Sequence, residues 1–155
     1  MQTSDIWYWS ELATDFATAY IADKGVGELK VAAAVGMRTR LAASFYEKVG
    51  FTLEKAGEHM EGIEFGKPVE TTILKKNTIV QQWVGPNGIG NYFTPLENGA
   101  AKNLGIPYEN RTLEQFILTD DVKVLKSTAA DYKGNVGGGT QYFSPAIKNN
   151  IAPVP

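Results

Sequence analysis

The residues best placed for chemistry stand late in this chain. An apolar run, Val124-Leu125-Lys126, ends in two hydroxyl side chains, Ser127 and Thr128, and Asp131 follows in a short polar loop. Three consecutive glycines, Gly137-Gly138-Gly139, then lead into Thr140, Gln141 and the aromatic pair Tyr142-Phe143. Consecutive glycines cost backbone entropy, so they mark a place where the chain needs positive φ or must pass close to something a side chain would block. A primary amide just after such a turn points into a pocket if its strand faces inward. A glycine-rich hairpin loop with a surface glutamine is the plain alternative. Upstream, Arg111 follows a proline-containing loop, as either a ligand-binding cation or half of a surface ion pair.

What is absent narrows the chemistry. The chain has no cysteine, which excludes disulfides, thiol nucleophiles and cysteine metal sites. With one histidine, His59, a histidine-rich zinc site and a two-histidine acid–base mechanism are not expected, and no metal ligand set is assigned. Catalysis here would run on Arg, Ser/Thr, Gln, Tyr and carboxylates. A net charge of −2 argues against broad non-specific nucleic-acid binding and leaves a local basic groove open. His59 reads as a residue near helix-end carbonyls or, alternatively, as a base. Trp83 and Tyr92 read as core or pocket wall.

These residues need elements to hold them. With 155 residues, 43% of them hydrophobic and 21% charged, a single domain with a substantial core is expected. No apolar run approaches the roughly 20 residues needed to span a bilayer. The first residues lack the basic start and apolar stretch of a secretory signal.

The first half reads as helical. Ser4 or Asp5 can cap a helix carrying Ile6, Trp9, Leu12, Ala13, Phe16 and Tyr20 on one stripe, with Trp7 and Tyr8 off it and Gly25 and Gly27 as its stop. A short alanine-rich segment is predicted over 29–35, a separate helix over 37–48 stopped by Gly50, and another capped by Thr52 and ending near Gly62. Composition shifts at Gly66-Lys67-Pro68, beyond which β-branched and aromatic residues dominate. Strands are predicted over 69–74, 78–84, 113–118, 122–127 and 140–143, a helical turn within 97–104, and a frayed tail at Ala152-Pro153-Val154-Pro155. The fold class is α+β: one domain, 1–155, with a helical part over 1–65 and a mainly antiparallel sheet over 66–155 that carries the active site.

Four stretches occur in one order: Gly88 to Pro95, Gly105-Ile106-Pro107-Tyr108-Glu109-Asn110-Arg111-Thr112-Leu113, Val124-Leu125-Lys126, and Gly137-Gly138-Gly139-Thr140-Gln141-Tyr142. In that order they resemble the NAD-glycohydrolase toxins of the tuberculosis necrotizing toxin type over about half of the chain. From Phe45 onward, including the stretch from His59 to Val69, the chain more broadly resembles C-terminal toxin domains of bacterial polymorphic and contact-dependent growth inhibition systems.

The resemblance implies an enzyme that consumes NAD by glycohydrolase or ADP-ribosyl-transfer chemistry, with NAD as substrate and no cofactor. Arg111 would hold the pyrophosphate, Ser127 or Thr128 would support the ribose, and Gln141 would orient the scissile sugar. Tyr92, Trp83, Gly138, Gly139 and Thr140 would line the substrate. Where the necrotizing-type toxins carry an arginine ahead of the glycine loop, this chain has Gln81-Gln82-Trp83, so Arg111 is the cation expected to substitute.

The wider group implies a second reading, a metal-independent RNase cleaving tRNA, with His59, Asp131 and Lys126 as acid–base and phosphate groups. In either case the resemblance implies a cognate immunity protein as partner. It also implies delivery as the C-terminal part of a secreted effector and action in the cytoplasm of the target bacterium. A third class, a non-catalytic binding module, would suit Gln141 and Arg111 lying far apart and facing solvent.

Overall fold

The computed structural model describes residues 3–24, 29–97 and 102–155. Within these, helices α1 (Thr3–Lys24), α2 (Leu29–Lys48) and α3 (Leu53–Met60) precede strands β1 (Glu70–Leu74), β2 (Ile79–Val84), β3 (Tyr92–Pro95), β4 (Thr112–Leu118), β5 (Val122–Thr128), β6 (Thr140–Phe143) and β7 (Ile151–Pro153). The change from helix to strand falls across Gly66-Lys67-Pro68, and the fold is α+β, as the composition shift implies.

In α1, residues three and four apart share a face, which sets Trp9, Leu12, Ala13, Phe16, Tyr20 and Ile21 against the core. Trp7 and Tyr8 fall off that stripe and are 59% and 48% exposed. The helix already includes Thr3, so Ser4 and Asp5 lie inside its first turn rather than at its cap. Gly25 and Gly27, read as its stop, lie outside the described residues.

The two segments predicted over 29–35 and 37–48 are one helix, α2, which runs straight through Gly36. A helical glycine costs roughly 1 kcal/mol against alanine, and burial of Val35, Thr39, Ala42, Ala43 and Tyr46 outweighs that. Gly50, at φ +89, ends the helix as expected. Thr52 caps α3, its hydroxyl accepting the Lys55 N–H at 3.1 Å.

The strands form one antiparallel sheet in the order β1-β5-β6-β3-β2-β4-β7. Alternation along each strand sorts the side chains. Leu125 and Phe143, paired across β5 and β6, pack with the helices, while Val124, Phe93 and Tyr142 enter a second core with Val80, Phe116, Leu118 and Ile147. The tail is not frayed: Ile151, Ala152 and Pro153 pair with Leu118, Ile117 and Phe116. An edge strand tolerates proline because the missing N–H can face outward. Of the helical turn expected within 97–104, residues 98–101 lie outside the described residues and 102–104 are irregular.

Candidate active site

Register fixes the first part of the site. Ser127 pairs with Gln141 two residues beyond the Leu125–Phe143 pair, so both share the face that looks toward the helices. There α3 has just ended and the chain turns through Gly62. The Gln141 side-chain amide donates from Nε2 to the Gly62 carbonyl at 3.1 Å and to Ser127 Oγ at 3.1 Å. A carbonyl only accepts, so the nitrogen must be the atom facing Gly62. Both amide protons are thereby engaged, and Oε1 is the polar atom Gln141 has left for the cleft it lines.

That cleft has a volume of about 440 Å³ and runs between the end of α3, strands β2, β3 and β6, and the loops before β3 and β4. This is the size range of small-molecule sites. Arg111 lines it from the residue just before β4; its Nη1 donates to the Trp83 carbonyl at 3.3 Å, and its side chain runs beside Gly85. Arg111 makes no ion pair with a carboxylate among the described residues. Trp83 packs against Tyr108 with ring centroids 4.8 Å apart, forming an aromatic wall next to the guanidinium.

The loop before β3 is held by a side chain that sequence reasoning passed over. Gln82, buried on β2, accepts the Gly90 N–H at 2.9 Å and donates to the carbonyls of Gly90 at 3.2 Å and Tyr92 at 2.6 Å. Its neighbour Gln81 donates to the Pro95 carbonyl at 3.1 Å. At the place where the necrotizing-type pattern has an arginine, these amides clamp backbone. A buried glutamine pair on an otherwise apolar strand was the available signal.

His59 and Tyr92 form the inner wall. His59 Nδ1 lies 2.6 Å from the Tyr92 hydroxyl, which lies 3.3 Å from the Tyr46 hydroxyl. The imidazole and phenol rings are nearly parallel, 13° apart. Burial pushes the Tyr92 phenol well above its ordinary value, with the Tyr46 phenol adding to the effect, and burial likewise raises Tyr46. Both phenols are therefore protonated at neutral pH. Burial first, and the Lys55 cation second, hold His59 below its ordinary 6.5, so the imidazole is neutral at pH 7.

The structure thus brings Gln141, Arg111, Trp83, Tyr92 and His59 to one cleft, with Ser127 behind Gln141. Other residues singled out above lie elsewhere. Thr140 pairs with Thr128, and its carbonyl accepts the Thr94 hydroxyl at 2.8 Å. Thr128, Asp131 and Gly138 line a second cleft beside α1. Asp131 Oδ1 accepts the Gly137 N–H at 2.7 Å, and Lys126 faces Glu70 at 3.9 Å on the exposed sheet surface. His59, Asp131 and Lys126 are therefore not gathered at one point.

The three glycines form a packing seam. Gly138 N–H donates to the Ala129 carbonyl at 2.7 Å and Gly139 N–H to the Asn103 carbonyl at 2.8 Å, so with Gly137 all three amides are engaged inside the protein. A Cβ on Gly137 would collide with the backbone of Ala129 and Ala130, and one on Gly139 would sit 2.5 Å from the Lys102 carbonyl oxygen. Gly137→Ala is expected to cost about 2 kcal/mol or more, read as a fall in Tm. Turnover measured well below the transition should be retained, because Gly137 does not line the cleft of Gln141.

No protein-family model and no curated protein sequence matches the chain. Solved structures do. The chain is similar to Tse6 in a structure of Tse6 in complex with Tsi6, at 25% identity and a TM-score of 0.68, covering 79% of this chain and 97% of that one. It also matches a structure of Tne2 in complex with Tni2, at 18% identity and a TM-score of 0.48, over 58% of this chain and 90% of that one. A third match is Rhs1-CT in complex with its cognate immunity protein RhsI1, at 19% identity and a TM-score of 0.48, over 74% of this chain and 92% of that one.

Proposed function

We propose that this chain is an antibacterial toxin domain that consumes NAD by cleaving the bond between nicotinamide and ribose, passing ADP-ribose to water or to an acceptor. The observation that carries the reading is the cleft that Arg111 and Gln141 both line, together with Trp83 and Tyr92. Arg111 is the single Lys or Arg among its described lining residues. One guanidinium suits one diphosphate, which it can grip through two parallel hydrogen bonds. A polynucleotide backbone calls for a row of cations.

The chemistry suits the groups present. As the glycosidic C–N bond lengthens, nicotinamide leaves as a neutral base and positive charge spreads over the ribose ring, so positioning and electrostatic stabilisation supply most of the acceleration. Gln141, its nitrogen tied down, offers Oε1 to a ribose hydroxyl, with the negative end of the amide dipole toward the developing charge. Ser127 locks that amide in place. Tyr92 and Trp83 supply flat surfaces for the heterocycles.

The toxin class draws further support from the likeness to Tse6, itself solved in complex with a second protein. By the same reading, this domain is the C-terminal part of a delivered effector, acts in the cytoplasm of a target bacterium, and is neutralised by a cognate immunity protein. Incubation of the purified domain with NAD, and separately with total tRNA, in the absence of divalent metal, tests the reaction. Nicotinamide release is the expected result. Discrete tRNA fragments with NAD left intact would replace the NAD reading by the RNase one. Normal growth of bacteria accumulating the folded domain without an immunity partner would remove the toxin class.

A further inference from the structure

The His59 imidazole has no part in the reaction as written above, although it lines the same cleft as Gln141 and Arg111. We propose that His59 accepts the proton of the attacking water, an assignment that rests on the NAD reading. Hydrolysis takes one pyridinium glycoside and one water to ADP-ribose, neutral nicotinamide and a proton. The electron pair of the broken C–N bond goes to the pyridine nitrogen, the water oxygen forms the new bond to C1, and one water proton needs an acceptor. Among the described lining residues, His59 and the exposed Glu58 are the bases at hand.

His59 is the better placed of the two. With Nδ1 turned to Tyr92, Nε2 is the ring nitrogen left for the cleft. A base at Nε2 requires the tautomer in which Nδ1–H donates to the Tyr92 oxygen and Tyr92 O–H donates to the Tyr46 oxygen, an arrangement the 2.6 and 3.3 Å separations accommodate. Taking a proton on Nε2 leaves that chain of hydrogen bonds unchanged, so the relay costs no rearrangement during the step. Tyr46, Phe51 and Phe143 pack around the imidazole, with centroids 5.7, 4.9 and 5.4 Å away, and hold its plane. The charged and titratable groups facing it are Lys55 one turn earlier on α3, Glu58 beside it, Tyr46 from α2, Tyr92 from β3 and Arg111 across the cleft. Burial and Lys55 both keep the ring neutral, which is the state a base requires.

The test is nicotinamide release against pH for wild type, His59→Gln, Tyr92→Phe and Lys55→Ala, with a melting curve for each. Wild-type kcat should fall as pH drops, along a limb centred below 6.5, because a protonated imidazole cannot accept. His59→Gln should lose about 10- to 30-fold in kcat with KM unchanged, lose the limb, and regain rate with added imidazole. That loss lies below the usual span for a general base because a cationic carbon captures neutral water readily. Tyr92→Phe, which removes the acceptor of Nδ1–H, should move the limb to lower pH. Lys55→Ala, which removes an exposed cation without touching the cleft, should move it upward.

A His59→Gln variant that keeps both the wild-type kcat and its acid limb would overturn the assignment and leave NAD hydrolysis standing. So would a limb that stays in place in Lys55→Ala. Absence of nicotinamide release from wild type at every pH would instead sink the NAD reading, and this assignment with it.

Discussion

Gln141→Ala should lower NAD turnover by about 100-fold or more, the loss typical of removing one preorganised group aimed at developing charge. The chain should remain folded, with a measurable cost. Gln141 is 8% exposed, and its Nε2 satisfies both the Gly62 carbonyl and Ser127 Oγ. The loss leaves the buried Ser127 Oγ short of a donor, while the half-buried Gly62 carbonyl keeps the Ala130 N–H. It costs about 1–3 kcal/mol, or about 2–12 °C in Tm for a domain of this size. Rate and stability must therefore be separated rather than assumed independent.

Ser127→Ala provides the separation. It removes one of the two bonds holding the amide and leaves Gln141 Oε1 in the cleft, so about 1 kcal/mol of stability and less than about tenfold in rate should go. If the two variants instead lose turnover in the same proportion to stability, measured well below both transitions, Gln141 serves as a brace between β6 and the end of α3. In that event the reactive centre lies with His59 and Tyr92.

Much of this architecture was legible in the chain because it rests on local patterns. The stripe in α1, the Thr52 cap, the Gly50 stop and the shift at Gly66-Lys67-Pro68 each follow from backbone preference or side-chain period. The structure shows the cap, the stop, the shift and the stripe from Trp9 to Tyr20, the side chain of Ile6 lying outside the described residues. The errors fall where packing overrides local preference. Gly36 looked like a break, yet buried residues on both sides carry α2 through it. Pro153 looked like the end of order, yet an edge strand can use it.

The site divides in the same way. That Ser127 and Gln141 could come together was legible in the sequence, since antiparallel neighbours lie about 4.8 Å apart if the two strands pair; the pairing itself and its register come from the structure. The convergence of His59, Tyr92 and Tyr46 was not legible there, because it joins α3, β3 and α2 across the core. The glycines were open to two physical readings, close approach to a ligand or close approach to the chain itself. Only the positions of Lys102, Asn103, Ala129 and Ala130 select the second.

Arg111→Ala should reduce kcat/KM for NAD by about 100-fold, chiefly through KM. The guanidinium is exposed in the free protein, and Nη1 is steadied by the Trp83 carbonyl. A bound diphosphate would cover it, converting a weak solvent-facing charge into a desolvated, charge-assisted pair. Arg111→Lys should recover little of the loss, because an ammonium cannot grip two phosphate oxygens in the planar fork and also keep the bond to Trp83. Ionic strength gives an independent readout: KM for NAD should rise with salt in wild type and respond much less in Arg111→Ala, since screening acts on the pair that the variant lacks. Should Arg111→Ala retain both the wild-type KM and its salt dependence, the diphosphate is held by another group. Arg111 would then be a strap between β2 and the loop before β4.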